Sequence, residues 1–100
     1  MCGRFTFYIT NQELQQWYQL LNYPTIDQRY NIAPLQTIPV ITQQQAIRRL
    51  QMMRWGLIPA WAKDESIANN LINARAETIA EKPSFRQSLK KRRCIIPISG

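Results

Sequence analysis

The stretch "TIPVITQQQAIRRLQMMRW" (residues 37–55) holds two β-forming runs around a polar centre. Residues 37–42 are rich in β-branched side chains, residues 47–55 alternate, and Gln43-Gln44-Gln45 separates them, a pattern that predicts an antiparallel hairpin. In the second run Ile47, Arg49, Gln51, Met53 and Trp55 face one way and Arg48, Leu50, Met52 and Arg54 the other. Neither face is purely apolar. This strand is therefore expected to be partly exposed or to lie beside a charged ligand.

Upstream, residues 2–9 read as a strand, with Phe5, Phe7 and Ile9 alternating with Arg4, Thr6 and Tyr8. Thr10-Asn11-Gln12-Glu13 fits a capping box. A helix follows to about Leu21, its apolar face formed by Leu14, Trp17, Leu20 and Leu21, with Trp17 expected in the core. Pro24 ends it, and residues 29–34, which lack a clear period, are expected to form a loop. Downstream, residues 55–61 turn through Gly56 and Pro59, and residues 66–71 suit a short helical turn. Lys82-Pro83-Ser84 looks like a helix start, with Phe85 and Leu89 on one side. Lys90, Lys91, Arg92 and Arg93 would then oppose the negative end of that helix's dipole as a solvated face. Residues 94–99 read as a final strand, with Cys94 as a small buried apolar residue. Mixed strands and short helices without a βαβ rhythm indicate an α+β fold.

One hundred residues, 45% of them hydrophobic, suit a single domain or a piece of one. No apolar run approaches the roughly 18 to 20 residues of a membrane span, and the N-terminal residues lack a signal-peptide pattern, so the expected location is intracellular. Cys2 and Cys94 are read as two free thiols. The absence of histidine excludes a histidine-dependent triad or a typical zinc site within these residues. Thirteen Lys and Arg against six Asp and Glu give a net charge of +7, which favours a polyanionic partner, of which nucleic acid is the commonest, over a basic solvated surface only weakly.

The stretch Met1-Cys2-Gly3-Arg4 carries distinctive chemistry. Removal of Met1 would leave Cys2 with a free amine and a thiol on neighbouring carbons, of ordinary pKa about 7.7–8.0 and 8.5. Such a pair captures an aldehyde twice: the amine forms a Schiff base, and the thiol closes a thiazolidine ring on the same carbon. A small residue tolerated at position 2 by chance is the plain alternative.

Five blocks in order, Met1-Cys2-Gly3-Arg4-Phe5, Arg29-Tyr30-Asn31-Ile32-Ala33-Pro34, Trp55-Gly56-Leu57-Ile58-Pro59-Ala60-Trp61, Asn73-Ala74-Arg75-Ala76-Glu77-Thr78 and Arg93-Cys94-Ile95-Ile96-Pro97, closely resemble the SOS-response-associated peptidase family. The resemblance implies an abasic-site sensor that crosslinks to single-stranded DNA through Cys2, needing no metal or cofactor and, in a bacterium, acting in the cytoplasm at the nucleoid. It gives Asn73 the role of positioning the reacting groups beside Cys2, and Arg4 and Arg75 that of phosphate anchors. Arg75 paired with Glu77 is the ordinary structural alternative. Asn31 and Pro34 would line the DNA cleft; Trp61 would stack on a base or pack in the core, and Trp55 belongs to the core. The name of the family supports a second reading, a cysteine peptidase with an N-terminal nucleophile. A third is a non-covalent nucleic-acid-binding module.

The same resemblance implies a curved, barrel-like, mostly antiparallel sheet with peripheral helices, of which residues 1–100 would be the N-terminal half, cut after Gly100. Family members supply a catalytic glutamate just beyond that point and a histidine much later. These residues would act in imine formation and in opening the sugar ring.

Overall fold

A computed structural model describes residues 3–100. Its most regular element is the expected hairpin: β3 (Thr37–Gln44) pairs with β4 (Ile47–Arg54) antiparallel and without a break, from Thr37 opposite Arg54 to Gln44 opposite Ile47. The strands run further toward the turn than the glutamines suggest, because a two-residue connection suffices. Gln45 and Ala46, with φ of 52° and 66°, give the left-handed pair that matches the twist of a hairpin.

The two strands differ sharply in burial. Ile38, Pro39, Val40 and Ile41 of β3 are all buried, so both of its faces are covered, whereas Leu50 alone is buried in β4. Pro39 is tolerated in so enclosed a strand by its register. Ile41 turns its N–H and carbonyl away from β4 to bond Ile95, so Pro39, two residues earlier, also points its missing N–H away from β4. On the far edge of β4, Asn22 acts as a one-residue strand substitute: its amide donates to the Leu50 carbonyl at 2.9 Å and accepts from the Leu50 N–H at 3.0 Å. The Leu21 N–H bonds the Arg48 carbonyl beside it. Both contacts protect an edge that would otherwise invite pairing.

β1 (Phe5–Phe7) pairs antiparallel with β2 (Arg29–Ile32), which corrects the loop expected over residues 29–34. The register explains why the period is hidden. Phe5 lies opposite Ile32 and Phe7 opposite Arg29, so one residue more occupies the β2 side, and this bulge breaks the alternation. Residues 94–99 do not form the expected regular strand. They cross between the two sheets: Ile95 exchanges two hydrogen bonds with Ile41 of β3, while Ser99 and Gly100 bond the backbone of Thr6 in β1. Serving two sheets leaves this segment one isolated bridge. It also leaves Cys94, at its outer end, exposed with a free thiol and not buried.

The fold is thus α+β with two two-stranded antiparallel sheets stitched by the segment 95–100, and it closes no barrel among the described residues. Phe5, Phe7, Ile9, Leu14, Leu20, Ile32, Ile38, Val40, Ile41 and Leu50 form one core between the sheets.

The helix α1 (Asn11–Tyr18) begins with the capping box: Thr10 Oγ1 accepts from the Glu13 N–H at 3.1 Å, and the Glu13 carboxylate accepts from Thr10. It ends earlier than the apolar spacing suggests, since Gln19 adopts a left-handed φ of 52° and releases Leu20 into the core and Leu21 onto β4. Two turns of helix bury a narrow arc centred on Leu14 and Tyr18. Trp17, which flanks that arc on the side of Leu14 away from Tyr18, is 55% exposed, which corrects its assignment to the core. A 3₁₀ helix (Glu65–Asn70), capped by Asp64, occupies the expected helical turn. The last helix, α2 (Arg86–Lys91), carries Lys90 and Lys91 in its final turn, and Arg93 Nε bonds the Leu89 carbonyl in the dipole-compensating manner anticipated. No helix among the described residues is long and apolar enough to cross a membrane.

Candidate nucleic-acid interface

The bulge in β2 builds the first part of the site. At a regular position Tyr30 and Asn31 would point to opposite faces, but with both set against Thr6 both are exposed on the outer surface. Arg4 joins them there, because Phe5 and Phe7 point inward and alternation sends their neighbours out. Arg4 Nη1 donates to Asn31 Oδ1 at 3.0 Å across the pair of strands. Among the described residues Nη2 and Nε of Arg4 make no hydrogen bond, and no carboxylate neutralises the guanidinium. A planar cation held from one side, with donors that none of the described residues takes up, is suited to a phosphate.

Beside this pair the rings of Tyr8 and Tyr30 stack, with centroids 6.1 Å apart and 18° between planes. Gln28 fixes the arrangement by accepting from the Tyr30 hydroxyl at 3.0 Å. Both rings remain more than half exposed, at 52% and 66%. These tyrosines were not singled out from the sequence. The signal lay in the broken period of residues 29–32, which reads as a loop until the partner strand shows it to be a bulge.

Asn73 is brought toward the same strand by a chain of contacts starting at Trp55. The Trp55 ring packs on Phe5, the residue after Arg4, with centroids 5.6 Å apart, and its indole N–H donates to the Ile72 carbonyl at 2.9 Å. The peptide that leads into Asn73 is therefore anchored to the β1 side of the core, and Asn73 itself is half-buried. This agrees with the core role expected for Trp55. Gly56 makes the corner possible: its φ is 140°, and a Cβ there would meet Leu35 Cδ2 at 3.1 Å and Ala68 at 3.2 Å.

The other sequence candidates are spread more widely. Pro34 is half-buried in the turn between β2 and β3, a turn that Arg29 clamps through bonds to the Thr37 carbonyl and the Gln36 side chain. Arg75 is exposed at the start of a backbone turn closed by Thr78, and no ion pair with Glu77 forms among the described residues. Trp61 is 60% exposed, so it does not pack into the core of the described residues, and it lines a cleft to which none of Arg4, Asn31, Pro34, Asn73 and Arg75 contributes. Cys2, the expected nucleophile, and Met1 lie outside the described residues.

Electrostatically the surface is dominated by cations. The one ion pair among the described residues joins Arg54 to Glu65 at 3.1 Å, with both side chains exposed. Asp64 is held below its ordinary carboxyl range by hydrogen bonds from the Ser66 side chain and backbone N–H, which favour its charged form. No group of three or more His, Cys, Asp or Glu side chains converges as a metal site among the described residues.

The profile of the SOS response associated peptidase (SRAP) family matches residues 1–100. The abasic site processing protein YoqW of Bacillus subtilis (strain 168) is 48% identical over 100 residues, spanning 97% of this chain and 45% of that protein. The abasic site processing protein HMCES of Rattus norvegicus is 35% identical over 83 residues, 71% of this chain and 24% of its own. A crystal structure of a Bordetella bronchiseptica protein superposes with a TM-score of 0.75 at 24% identity, covering 97% of this chain and 48% of that one. The chain therefore spans less than half the length of these relatives.

Proposed function

The chain belongs to the SOS response associated peptidase (SRAP) family, and on that premise we propose that it processes abasic sites in DNA, capturing the lesion covalently through Cys2. The names of its relatives support the abasic site as target. The observation that carries the reading for this chain is the Arg4–Asn31 pair: an exposed, un-neutralised guanidinium two residues from Cys2, steadied by an amide that adds no negative charge. Such a pair grips a phosphate next to the lesion and presents the sugar carbon to the N-terminal residue.

The chemistry needs a free α-amine, and so the loss of Met1. The ring-opened deoxyribose presents an aldehyde at C1. The neutral amine of Cys2 adds to that carbon, the resulting carbinolamine loses its hydroxyl as water, and a protonated imine forms. The Cys2 thiolate then adds to the imine carbon, whose π electrons move to nitrogen, and a thiazolidine results with no net oxidation. Asn73 steadies the polar groups during these steps, and Arg75 and Pro34 extend the grip on the strand. The partner in this reading is a single strand, in which the bases neighbouring the lesion are free to stack on exposed rings such as those of Tyr8, Tyr30 and Trp61.

The test is direct. The full-length protein, with loss of Met1 verified by intact mass, is incubated with a single strand carrying one abasic site, then denatured and resolved by size. A persistent adduct that disappears with Cys2→Ala is expected. No adduct from processed wild type refutes the reading, and peptide hydrolysis that depends on Cys2 would replace it with a peptidase.

A further inference from the structure

Trp55, the residue after β4, links three segments that carry candidate site residues. Its backbone holds the turn of Pro34: the Leu35 N–H donates to the Trp55 carbonyl at 2.8 Å, and the Trp55 N–H donates to the Gln36 carbonyl at 3.0 Å. Its ring packs on Phe5, in the strand that follows Arg4. Its indole N–H donates to the Ile72 carbonyl at 2.9 Å, in the peptide that joins Ile72 to Asn73. The main chain makes the first link and the side chain the other two, so a substitution can separate them.

The third link bears on the chemistry. Residues 71–75 belong to no helix or strand, so no repeating hydrogen-bond ladder sets the direction of Asn73. The Leu71 carbonyl accepts from the Leu57 N–H at 3.1 Å and the Arg75 carbonyl from the Thr78 N–H at 3.2 Å, which pins the segment on either side. Between these points the Ile72 carbonyl and the Asn73 nitrogen share one rigid peptide plane. A donor on that carbonyl fixes the tilt of the plane, and with it the direction in which the Asn73 side chain leaves the backbone. The donor belongs to a ring already packed on Phe5, so Asn73 is registered against the strand that leads back to Cys2.

We propose that Trp55 is a positioning residue for the covalent step: its indole N–H holds the peptide plane that aims Asn73, and so sets the rate of capture without contributing to affinity for the strand. The inference rests on the reading of Cys2 and Asn73 above. A polar group that is turned away slows a reaction that depends on orientation. The grip on phosphate rests instead on Arg4 and Asn31, which share a separate hydrogen bond.

The test compares wild type with Trp55→Phe, which keeps a ring against Phe5 and removes the N–H. In full-length protein that has lost Met1, with a saturating abasic single strand, the single-turnover rate of adduct formation is expected to fall about ten- to a hundredfold. Affinity for the same strand in a Cys2→Ala background should stay within about twofold. Asn73→Ala and Asn73→Ala/Trp55→Phe should react at the same slow rate, because Trp55 acts through Asn73, whereas a purely structural loss would add in both backgrounds. If the phenylalanine variant does not fold, Trp55→benzothienylalanine, which exchanges the N–H for sulfur in a ring of the same shape, takes its place. Trp55→fluorotryptophan, which retains the N–H, should keep the wild-type rate. A wild-type rate without the N–H overturns the proposal, as does an additive loss on the Asn73→Ala background or a loss of affinity as large as the loss of rate. A wild type that forms no Cys2-dependent adduct refutes the reading at Cys2 itself, whereas fast capture by Trp55→Phe keeps that reading and removes only this one.

Discussion

The two sheets make opposite use of their strands. In the hairpin of β3 and β4 the pairing is long and regular, and the strand between neighbours, β3, is buried on both faces while β4 is left largely to solvent. In the pair of β1 and β2 the pairing is short and interrupted, and the interruption itself places Tyr30 and Asn31 outward beside Arg4 and Tyr8. Regular pairing supplies stability here, and the irregular pair supplies the polar surface. A bulge next to a functional surface is a common device, because it re-aims side chains without interrupting the core behind them.

The sharpest way to break this contrast lies within β1 itself. Phe7 is fully buried and its neighbour Tyr8 is 52% exposed. Phe7→Ala is expected to cost about 3–5 kcal/mol in urea unfolding, by lost burial and an unfilled cavity. Tyr8→Ala is expected to stay within about 0.5 kcal/mol and to weaken binding of a single strand. Equal destabilisation by the two would mean that the outer face of β1 is structural after all.

A smaller effect, of opposite sign, is expected in the regular sheet. Gln45 and Ala46 both hold positive φ at the hairpin turn, where each pays the steric cost of a Cβ. Replacing them with Asn-Gly, the pair suited to this turn, is expected to raise stability by about 1–2 kcal/mol without altering strand binding. A change in binding would show that the turn communicates with the first sheet.

The smallest expected effect concerns pH. The carboxyl of Asp64 is held low in the fold by Ser66, so its stabilising contribution is present above the ordinary aspartate range and is lost as the pH falls through its lowered folded value. Asp64→Asn should therefore flatten the acid limb of the thermal-stability profile slightly and leave the neutral limb parallel to wild type. An unchanged acid limb would show that the cap does not couple to folding.

How much of this was readable beforehand follows from what each element depends on. The hairpin, the capping box at Thr10 and the turn at residues 65–70 arise from local periodicity and local hydrogen bonds, and the sequence carries both. β2 was hidden because a bulge erases a period of two. The strand expected over residues 94–99 and the burial of Cys94 failed because that segment divides its bonds between two sheets, a tertiary fact without local trace. Trp17 was misplaced by a helix that ends sooner than its apolar spacing, once Gln19 turns left-handed. Arg4 and Asn31 were legible as separate candidates, and their hydrogen bond was not, since it joins residues 27 positions apart.

The central claim is that recognition of the lesion strand belongs to the face of β1 and β2 and does not follow from net positive charge alone. Affinity for a short abasic single strand, measured in full-length protein with a Cys2→Ala background, compares Arg4→Ala with Arg49→Ala, an exposed arginine of β4 that does not line the cleft carrying Trp61. Arg4→Ala should lose about ten- to a hundredfold, the loss of charge-assisted hydrogen bonds of about 1.5–3 kcal/mol, while Arg49→Ala stays within about twofold and both retain wild-type melting temperatures. Equal losses from the two substitutions would contradict the account.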